Sequence, residues 1–325
     1  MDFEKILKKS LNNISLSRDE AKEILELEDK YINDLLVVTF EVRKKFKQKL
    51  VNIHILTNVK SGNCTEDCSY CAQSCVSKAT IKNYDMINKQ ELLEDRKLAK
   101  EKNIKRHCLG LSGMSYSEEM INLLVDYLKD LKKENNIDIC CSMGFLTREQ
   151  AIRLKDAGLT RVNHNLNTGR KNYENICSTH TFQERVENIQ MLQEVGLEIC
   201  SGGIIGLGES NDDILDMFFE LMEINPHSVP VNFLLPVNGT PLGNKSIEEL
   251  TPQYCLKVLC LARLLMPKQN IRCAAGREIY FKGFEKELFS IVNSIFAGGY
   301  LTEKGEGIER TIELIQSCGF EYEME

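Results

Sequence analysis

The sequence predicts an α/β protein, a (βα)8 TIM-type barrel with an N-terminal helical extension: residues 1–48 form a helical arm and 49–325 the barrel with a C-terminal extension. Three observations predict it. From residue 51 onward, short β-branched runs alternate with longer amphipathic ones, the pattern of repeated βα units. The chain has 325 residues, a length one large barrel accommodates. No linker or low-complexity segment divides it.

In the arm, Ser17 and Glu20 have capping-box spacing, and "AKEILELEDKYINDLL" carries apolar residues at helical intervals. The predicted strands are residues 51–59, 106–112, 137–143, 160–166, 198–207, 228–235, 270–276 and 293–299. Between them lie helical patterns such as "SEEMINLLVDYLKDLKKE", "TREQAIRLKDAG" and "TFQERVENIQMLQEVG". Thr251-Pro252 starts another, a capping residue followed by proline at the first helical position.

Apolar residues make up 42% and charged residues 27%, ordinary for a globular protein. No run of about 18 apolar residues suggests a membrane span. The N-terminus lacks the apolar core of a signal peptide, so a cytoplasmic protein without a membrane partner is expected. The net charge of −7 argues against nucleic acid as partner. Thirteen cysteines, an odd number without an export signal, read as metal-binding or catalytic rather than as disulfides.

The stretch "SGNCTEDCSYCAQS" follows the first strand, where such barrels place their chemistry, and holds Cys64, Cys68 and Cys71 in C-x3-C-x2-C spacing. Structural zinc takes four ligands, usually from paired motifs, and no second pair lies at a suitable spacing, although Cys75 is close. Three thiolates on a short loop suit three irons of a 4Fe-4S cube, with the fourth iron left open. Deeper in the barrel, Cys108 lies on the second predicted strand, Cys140 on the third, Cys200 on the fifth and Arg272 on the seventh. A buried cysteine alone reads as a small hydrophobe. Inward residues of separate strands nevertheless share a layer in a barrel. Alternation admits only one of Cys140 and Cys141 to that layer, and one of Arg272 and Cys273; spacing does not choose.

The three-cysteine loop resembles that of radical S-adenosylmethionine (SAM) enzymes. From about residue 50 to 300 the series "SGNCTEDCSYCAQS", "VNHNLNT", "TFQERV", "CSGGIIGLGE", "SVPVNFLLPVNGTPL" and "AGRE" resembles the biotin synthase family. That resemblance implies a 4Fe-4S cluster on Cys64, Cys68 and Cys71 whose open iron holds the amino and carboxylate groups of SAM. Reductive cleavage of SAM then yields a 5′-deoxyadenosyl radical that abstracts hydrogen from the substrate, dethiobiotin. An auxiliary cluster on Cys108, Cys140, Cys200 and Arg272 donates sulfur. Tyr70, Asn165, Asn167, His180 and Ile204 are implied as SAM contacts, with His180 where some relatives carry arginine. Asn163, Asn165, Ser228 and Asn232 are implied as substrate contacts; asparagine suits a ureido group because it offers donor and acceptor together. Flavodoxin or ferredoxin as electron donor, iron–sulfur assembly machinery and a homodimer are implied too.

Three departures leave the auxiliary ligand set open. His54 stands where relatives carry a small polar residue, Cys273 follows Arg272, and Cys141 follows Cys140. A guanidinium is a poor ligand that a thiolate or imidazole can displace, so the auxiliary cluster is either 2Fe-2S or a larger variant such as 4Fe-5S. Cys177, Cys255, Cys260 and Cys318 read as packing residues. Two alternatives stand beside this reading: another radical SAM enzyme on the same barrel, and an iron–sulfur electron-transfer or carrier protein. The second leaves "NHNLN" unexplained.

Overall fold

A computed structural model describes residues 1–300, 303–304 and 307–322. Its strands are β1 (Leu50–Lys60), β2 (Arg106–Leu111), β3 (Asp138–Ser142), β4 (Arg161–Asn163), β5 (Glu198–Cys200), β6 (Gly203–Ile205), β7 (Ser228–Phe233), β8 (Asn270–Cys273) and β9 (Ser294–Ala297). They pair parallel in chain order, and β9 returns to β1, which closes the ring. β5 and β6 form one stave interrupted at Ser201-Gly202, and both pair with β7. The backbones approach closely at the interruption. A Cβ at Gly202 would lie 1.9 Å from the Pro230 carbonyl oxygen, so only glycine allows that approach.

The arm is helical but not continuous: α1 (Phe3–Leu11), α2 (Arg18–Leu25) and α3 (Ile32–Lys47) are separated by a loop and by a 3₁₀ turn at Asp29–Tyr31. Ser17 and Glu20 form the expected capping box at the start of α2. The barrel's helices are α4 (Lys89–Glu101), α5 (Glu118–Glu134), α6 (Arg148–Asp156), α7 (Tyr173–Ile176), α8 (Phe182–Val195), α9 (Asn211–Ile224), α10 (Pro252–Leu265), α11 (Arg277–Tyr280) and α12 (Glu285–Ile291). The arm docks on α10, where Ser10 Oγ donates to Leu264 O and Lys257 Nζ to Leu27 O. The buried Arg43 guanidinium donates to Val292 O and Leu50 O, tying α3 to the starts of β9 and β1. In the C-terminal extension, β10 (Gly299–Tyr300) pairs with β11 (Glu303–Lys304), and α13 (Ile308–Ser317) leads to β12 (Glu321–Tyr322), which pairs with Leu50 and Val51. Residues 301–302, 305–306 and 323–325 of the predicted extension lie outside the described residues.

Strand alternation sorts side chains into two cores. Outward residues of the sheet meet the helices in one large apolar core that includes Cys141 and Cys273. Inward residues form a small separate cluster of Cys108, Cys140, Ala274 and Phe296 with Leu56 against it. Two residues before Cys108, Cys140, Asn163 and Cys200, and so on the same inward face, stand Arg106, Asp138, Arg161 and Glu198. These four close the barrel floor with ion pairs, Arg106 to Asp138 at 2.7 Å and to Glu198 at 3.5 Å, and Arg161 Nε to Glu198 at 2.9 Å. Among the described residues no helix is long and apolar enough to cross a membrane.

Candidate active site

The chain leaves β1 into a loop fastened at its start. Gly62 has φ +74°, donates its N–H to Gln73 Oε1 at 2.9 Å, and accepts from Ser112 Oγ at 2.6 Å. Further along, Cys71 N bonds Cys68 O and Cys75 N bonds Glu66 O. This folding aims Cys64, Cys68 and Cys71 into one cavity of about 280 Å³ at the C-terminal mouth of the barrel. Cys75 is exposed, and among the described residues no other cysteine lines the cavity. Burial pushes the Cys71 thiol up to about 11 and raises Cys64 as well, so without metal both carry protons. Iron reverses that balance, because a coordinating thiol is deprotonated outright. Three thiols on one cavity wall, with no fourth cysteine lining it among the described residues, fit a cluster that keeps one iron open.

Tyr70, Asn163, Asn165, Asn167, His180, Ile204 and Asn232 also line this cavity; Ser228 does not. Asn167 adopts φ +72°, a conformation asparagine tolerates, and its backbone bridges to Gly202 O and Ile204 N. Asn165 Oδ1 accepts from Gly202 N at 3.2 Å. Asn163 Oδ1 is buried and unpaired. Asn232 donates to Gly203 O at 3.0 Å and accepts from Ala275 N at 3.1 Å, which leaves it one N–H and one lone pair.

Sequence reasoning missed three charged or polar residues on the same wall. Arg185, Glu66 and His164 line the cavity, the first inside "TFQERV" and the second between the first two loop cysteines. His180 sits between the first two: Nε2 faces Arg185 Nη2 at 2.7 Å and Nδ1 faces Glu66 Oε2 at 2.5 Å. Guanidinium only donates, so Nε2 accepts and the proton on Nδ1 is given to Glu66. Cys177, expected to be a packing residue, instead places its sulfur 3.3 Å from His180 Nδ1 and 3.7 Å from Cys68 Sγ.

Below the cavity lies the second constellation. Cys108, Cys140, Cys200 and Arg272 all project inward and are buried. Arg272 Nε donates to Ser294 Oγ at 2.9 Å, Nη2 contacts His54 Nδ1 at 2.9 Å, Nη1 reaches Cys200 Sγ at 3.9 Å, and the guanidinium stacks on Phe296. His54 Nδ1 is also 3.8 Å from Cys108 Sγ. Burial, then the charges of Arg272, Arg106 and Arg161, hold His54 far below the ordinary histidine range, so its imidazole is neutral and able to ligate metal. Hydrogen bonding with Cys140 pulls Cys108 below the usual thiol range despite burial, and Arg272 adds to the effect. Three convergent thiols with a neutral imidazole fit a buried iron–sulfur group.

Two expectations are corrected here. Cys273 cannot join this set, because Arg272 takes the inward position and turns its neighbour into the helix-side core. Ser228 pairs in register with Cys200 and donates to Asn270 O at 3.1 Å, so it belongs to the deep layer rather than the cavity wall.

With this geometry in place, comparison with known proteins is informative. Residues 58–221 match the profile of the Radical SAM superfamily, and residues 230–321 that of the Biotin and Thiamin Synthesis associated domain. The chain is similar to biotin synthase of Bacillus subtilis (strain 168), with 41% identity over 96% of this chain and 93% of the relative. It is similar to biotin synthase of Sulfurihydrogenibium sp. (strain YO3AOP1), with 40% identity over 94% and 91%. Among solved structures, methylornithine synthase (PylB) superposes with a TM-score of 0.85 at 20% identity over 98% of this chain and 97% of that one. The FeFe-hydrogenase maturase HydG from Carboxydothermus hydrogenoformans gives 0.84 at 17% over 99% and 79%. Those two likenesses show the barrel alone.

Proposed function

The chain belongs to the biotin synthase family of radical SAM enzymes, and from that premise we propose how its own residues serve the reaction. It is a sulfur-inserting transferase that converts dethiobiotin to biotin. The observation that carries the residue assignment is the vertical order of one barrel: three thiols at the mouth, an asparagine-lined cavity, then three thiols with Arg272 and His54 beneath.

Cys64, Cys68 and Cys71 would hold the 4Fe-4S cluster, which when bound would supply an electron for SAM cleavage. Cys108, Cys140 and Cys200 would hold the auxiliary cluster, with Arg272 or His54 completing it; that group would supply the sulfur. Tyr70, Asn165, Asn167 and Ile204 wall the SAM side of the cavity. Arg185 fixes His180 and Glu66 in one hydrogen-bonded row, which keeps the mouth polar where the amino-acid part of SAM needs donors and acceptors. Asn163 offers its unpaired Oδ1 to an N–H of the ureido ring, and Asn232 adds its spare donor. Ser228 holds Cys200 and β8 rather than substrate. The ion-paired floor keeps water from the radical site. A second donor, His54, in reach of Cys108 supports a larger auxiliary cluster than 2Fe-2S, such as 4Fe-5S. Electrons come from a flavodoxin or ferredoxin, clusters from the assembly machinery, and the enzyme works as a cytoplasmic homodimer.

The test is a strictly anaerobic incubation of reconstituted protein with SAM, dethiobiotin and a reductant, read by mass spectrometry. Biotin together with 5′-deoxyadenosine is the expected result. Deoxyadenosine without biotin overturns the substrate or the deep site.

A further inference from the structure

Cys177 has no role in the reaction, yet it touches a residue that does. Its sulfur lies 3.7 Å from Cys68 Sγ, across 109 residues of chain. The contact is pinned from both sides. Ser69 N donates to Ile176 O at 2.9 Å, and Asp67 accepts from Ser178 N at 2.9 Å and Thr179 N at 3.3 Å. Residues 67–69 and 176–179 are therefore held together with the two thiols between the fastenings. By contrast, the sulfurs of Cys64, Cys68 and Cys71 do not all fall within 4.8 Å of one another, whereas Cys68, Cys177 and His180 offer ligand atoms that do.

A metal ion on those last three atoms fits poorly. Metal at His180 Nδ1 moves the ring proton to Nε2, where Arg185 already points a donor from 2.7 Å. Donor then faces donor, and a buried guanidinium faces a cation. A bond between the two sulfurs meets no such conflict. An S–S bond of about 2.05 Å asks the pair to close by about 1.7 Å from contact.

We propose that Cys68 and Cys177 form a reversible disulfide when the protein lacks its mouth cluster, a closed form of the cluster loop that refuses iron until reduced. The inference rests on the reading of Cys68 as a cluster ligand. The oxidant is a peroxide small enough to enter the cavity, which Cys68 lines. The Cys68 sulfur attacks one peroxide oxygen, the O–O bond breaks, and the departing hydroxide takes the thiol proton to leave as water. Cys68 is then a sulfenic acid. The Cys177 sulfur attacks it, the S–O bond breaks, and the released hydroxide takes the Cys177 proton as a second water. Two thiols and one peroxide thus give one disulfide and two waters, and a dithiol reductant reverses the state. The link also shields Cys68 from the irreversible sulfinic step. Iron on Cys68 occupies the attacking sulfur and prevents the bond.

The experiment uses full-length, cluster-free protein exposed to one equivalent of hydrogen peroxide. Free thiols are alkylated, and the digest is mapped by mass spectrometry. The expected result is a linked peptide pair joining Cys68 to Cys177, released by dithiothreitol, with iron uptake restored only after that reduction. Cys75→Ser keeps the link. In Cys177→Ser given excess peroxide, Cys68 proceeds past sulfenic to sulfinic acid, and dithiothreitol no longer restores iron uptake. Linkage confined to Cys64, Cys68 and Cys71 overturns the proposal, as does full alkylation of Cys177 after peroxide. The wild-type map decides even where the variant fails to fold. None of these readouts uses biotin formation, so failure here and failure of the proposed reaction are told apart.

Discussion

Cys140→Ala and Cys141→Ala form a matched pair that separates ligation from packing. Both side chains are buried, at 2% and 0% exposure, on adjacent positions of β3. Each exchange deletes one heavy atom, so by analogy with small core truncations each costs about 0.5–1.5 kcal/mol. At roughly 2–4 °C per kcal/mol for a chain of this class, melting falls by a few degrees in either variant. Stability therefore does not distinguish them. Iron does, because alternation sends Cys140 into the barrel beside Cys108 and Cys141 into the helix-side core. The assay is iron and sulfide per chain in a Cys64→Ala/Cys68→Ala/Cys71→Ala background, where only the deep site remains. Cys140→Ala is expected to lose that iron and Cys141→Ala to keep it. The parent count also sizes the group: two irons mean 2Fe-2S, whereas about four mean a larger variant. Iron lost from Cys141→Ala and kept by Cys140→Ala refutes the parity of β3, since a one-residue slip turns every side chain to the other face. Equal loss from both attributes the iron to fold integrity and removes Cys140 as a ligand.

Three further outcomes are expected. Arg272 is 1% exposed and pairs with no carboxylate among the described residues. Arg272→Met therefore leaves the cluster-free protein as stable or raises it by about 1–4 kcal/mol, but destabilises the loaded form; scanning calorimetry showing equal losses in both states contradicts this. Asn163→Ala removes an acceptor without a partner, so melting is unchanged while KM for dethiobiotin rises roughly two- to tenfold, the worth of one hydrogen bond; an unchanged KM takes Asn163 out of the substrate site. Burial lifts the Glu20 carboxyl, but hydrogen bonds from Lys5, Lys9 and the Ser17 amide outweigh it and bring it down to about 2. A depressed carboxyl stabilises above its unfolded value and loses that contribution as pH falls through the folded value, so Glu20→Gln costs about 1–2 kcal/mol at pH 7, a difference that shrinks below pH 4.5 and vanishes only well below pH 2; a pH-independent difference in parallel acid titrations of cluster-free wild type and variant refutes it.

The barrel was legible because eight β-branched runs announce themselves, and each predicted window contains a strand of the ring. Where windows and strands differ, tertiary contact decides. The predicted strand 198–207 breaks where Gly202 meets Pro230, and 160–166 stops at Asn163 so that Asn165 and Asn167 can turn into the cavity. The loop cysteines were legible from spacing alone. The choice of Cys140 over Cys141 was not, because either parity satisfies the pattern until the strand's neighbours fix its register. Arg185 escaped because an arginine on an amphipathic helix reads as solvated, and only the fold turns α8 so that it meets His180. Cys68 was found by its local spacing, whereas Cys177 escaped because its neighbour lies 109 residues away and no local spacing records that.

The floor of the barrel also sets the charge of the interior. Arg106 and Arg161 have side chains only 7% and 6% exposed, whereas their partners Asp138 and Glu198 are each 40% exposed. The carboxylates thus keep contact with solvent while the guanidiniums face the thiols above, and Arg161 feels both Cys200 and Cys140. Adding Arg272, the interior sets three guanidiniums against two carboxylates, with neutral His54 between them. One positive charge remains without a carboxylate, at a depth where burying it alone is costly. Thiolates bound to iron and sulfide, as proposed for this site, would supply the missing negative charge. The same imbalance that disfavours the empty barrel therefore favours an anionic group at Cys108, Cys140 and Cys200, and it explains why a poor ligand such as arginine stands there at all: its service is charge, whether or not it also coordinates.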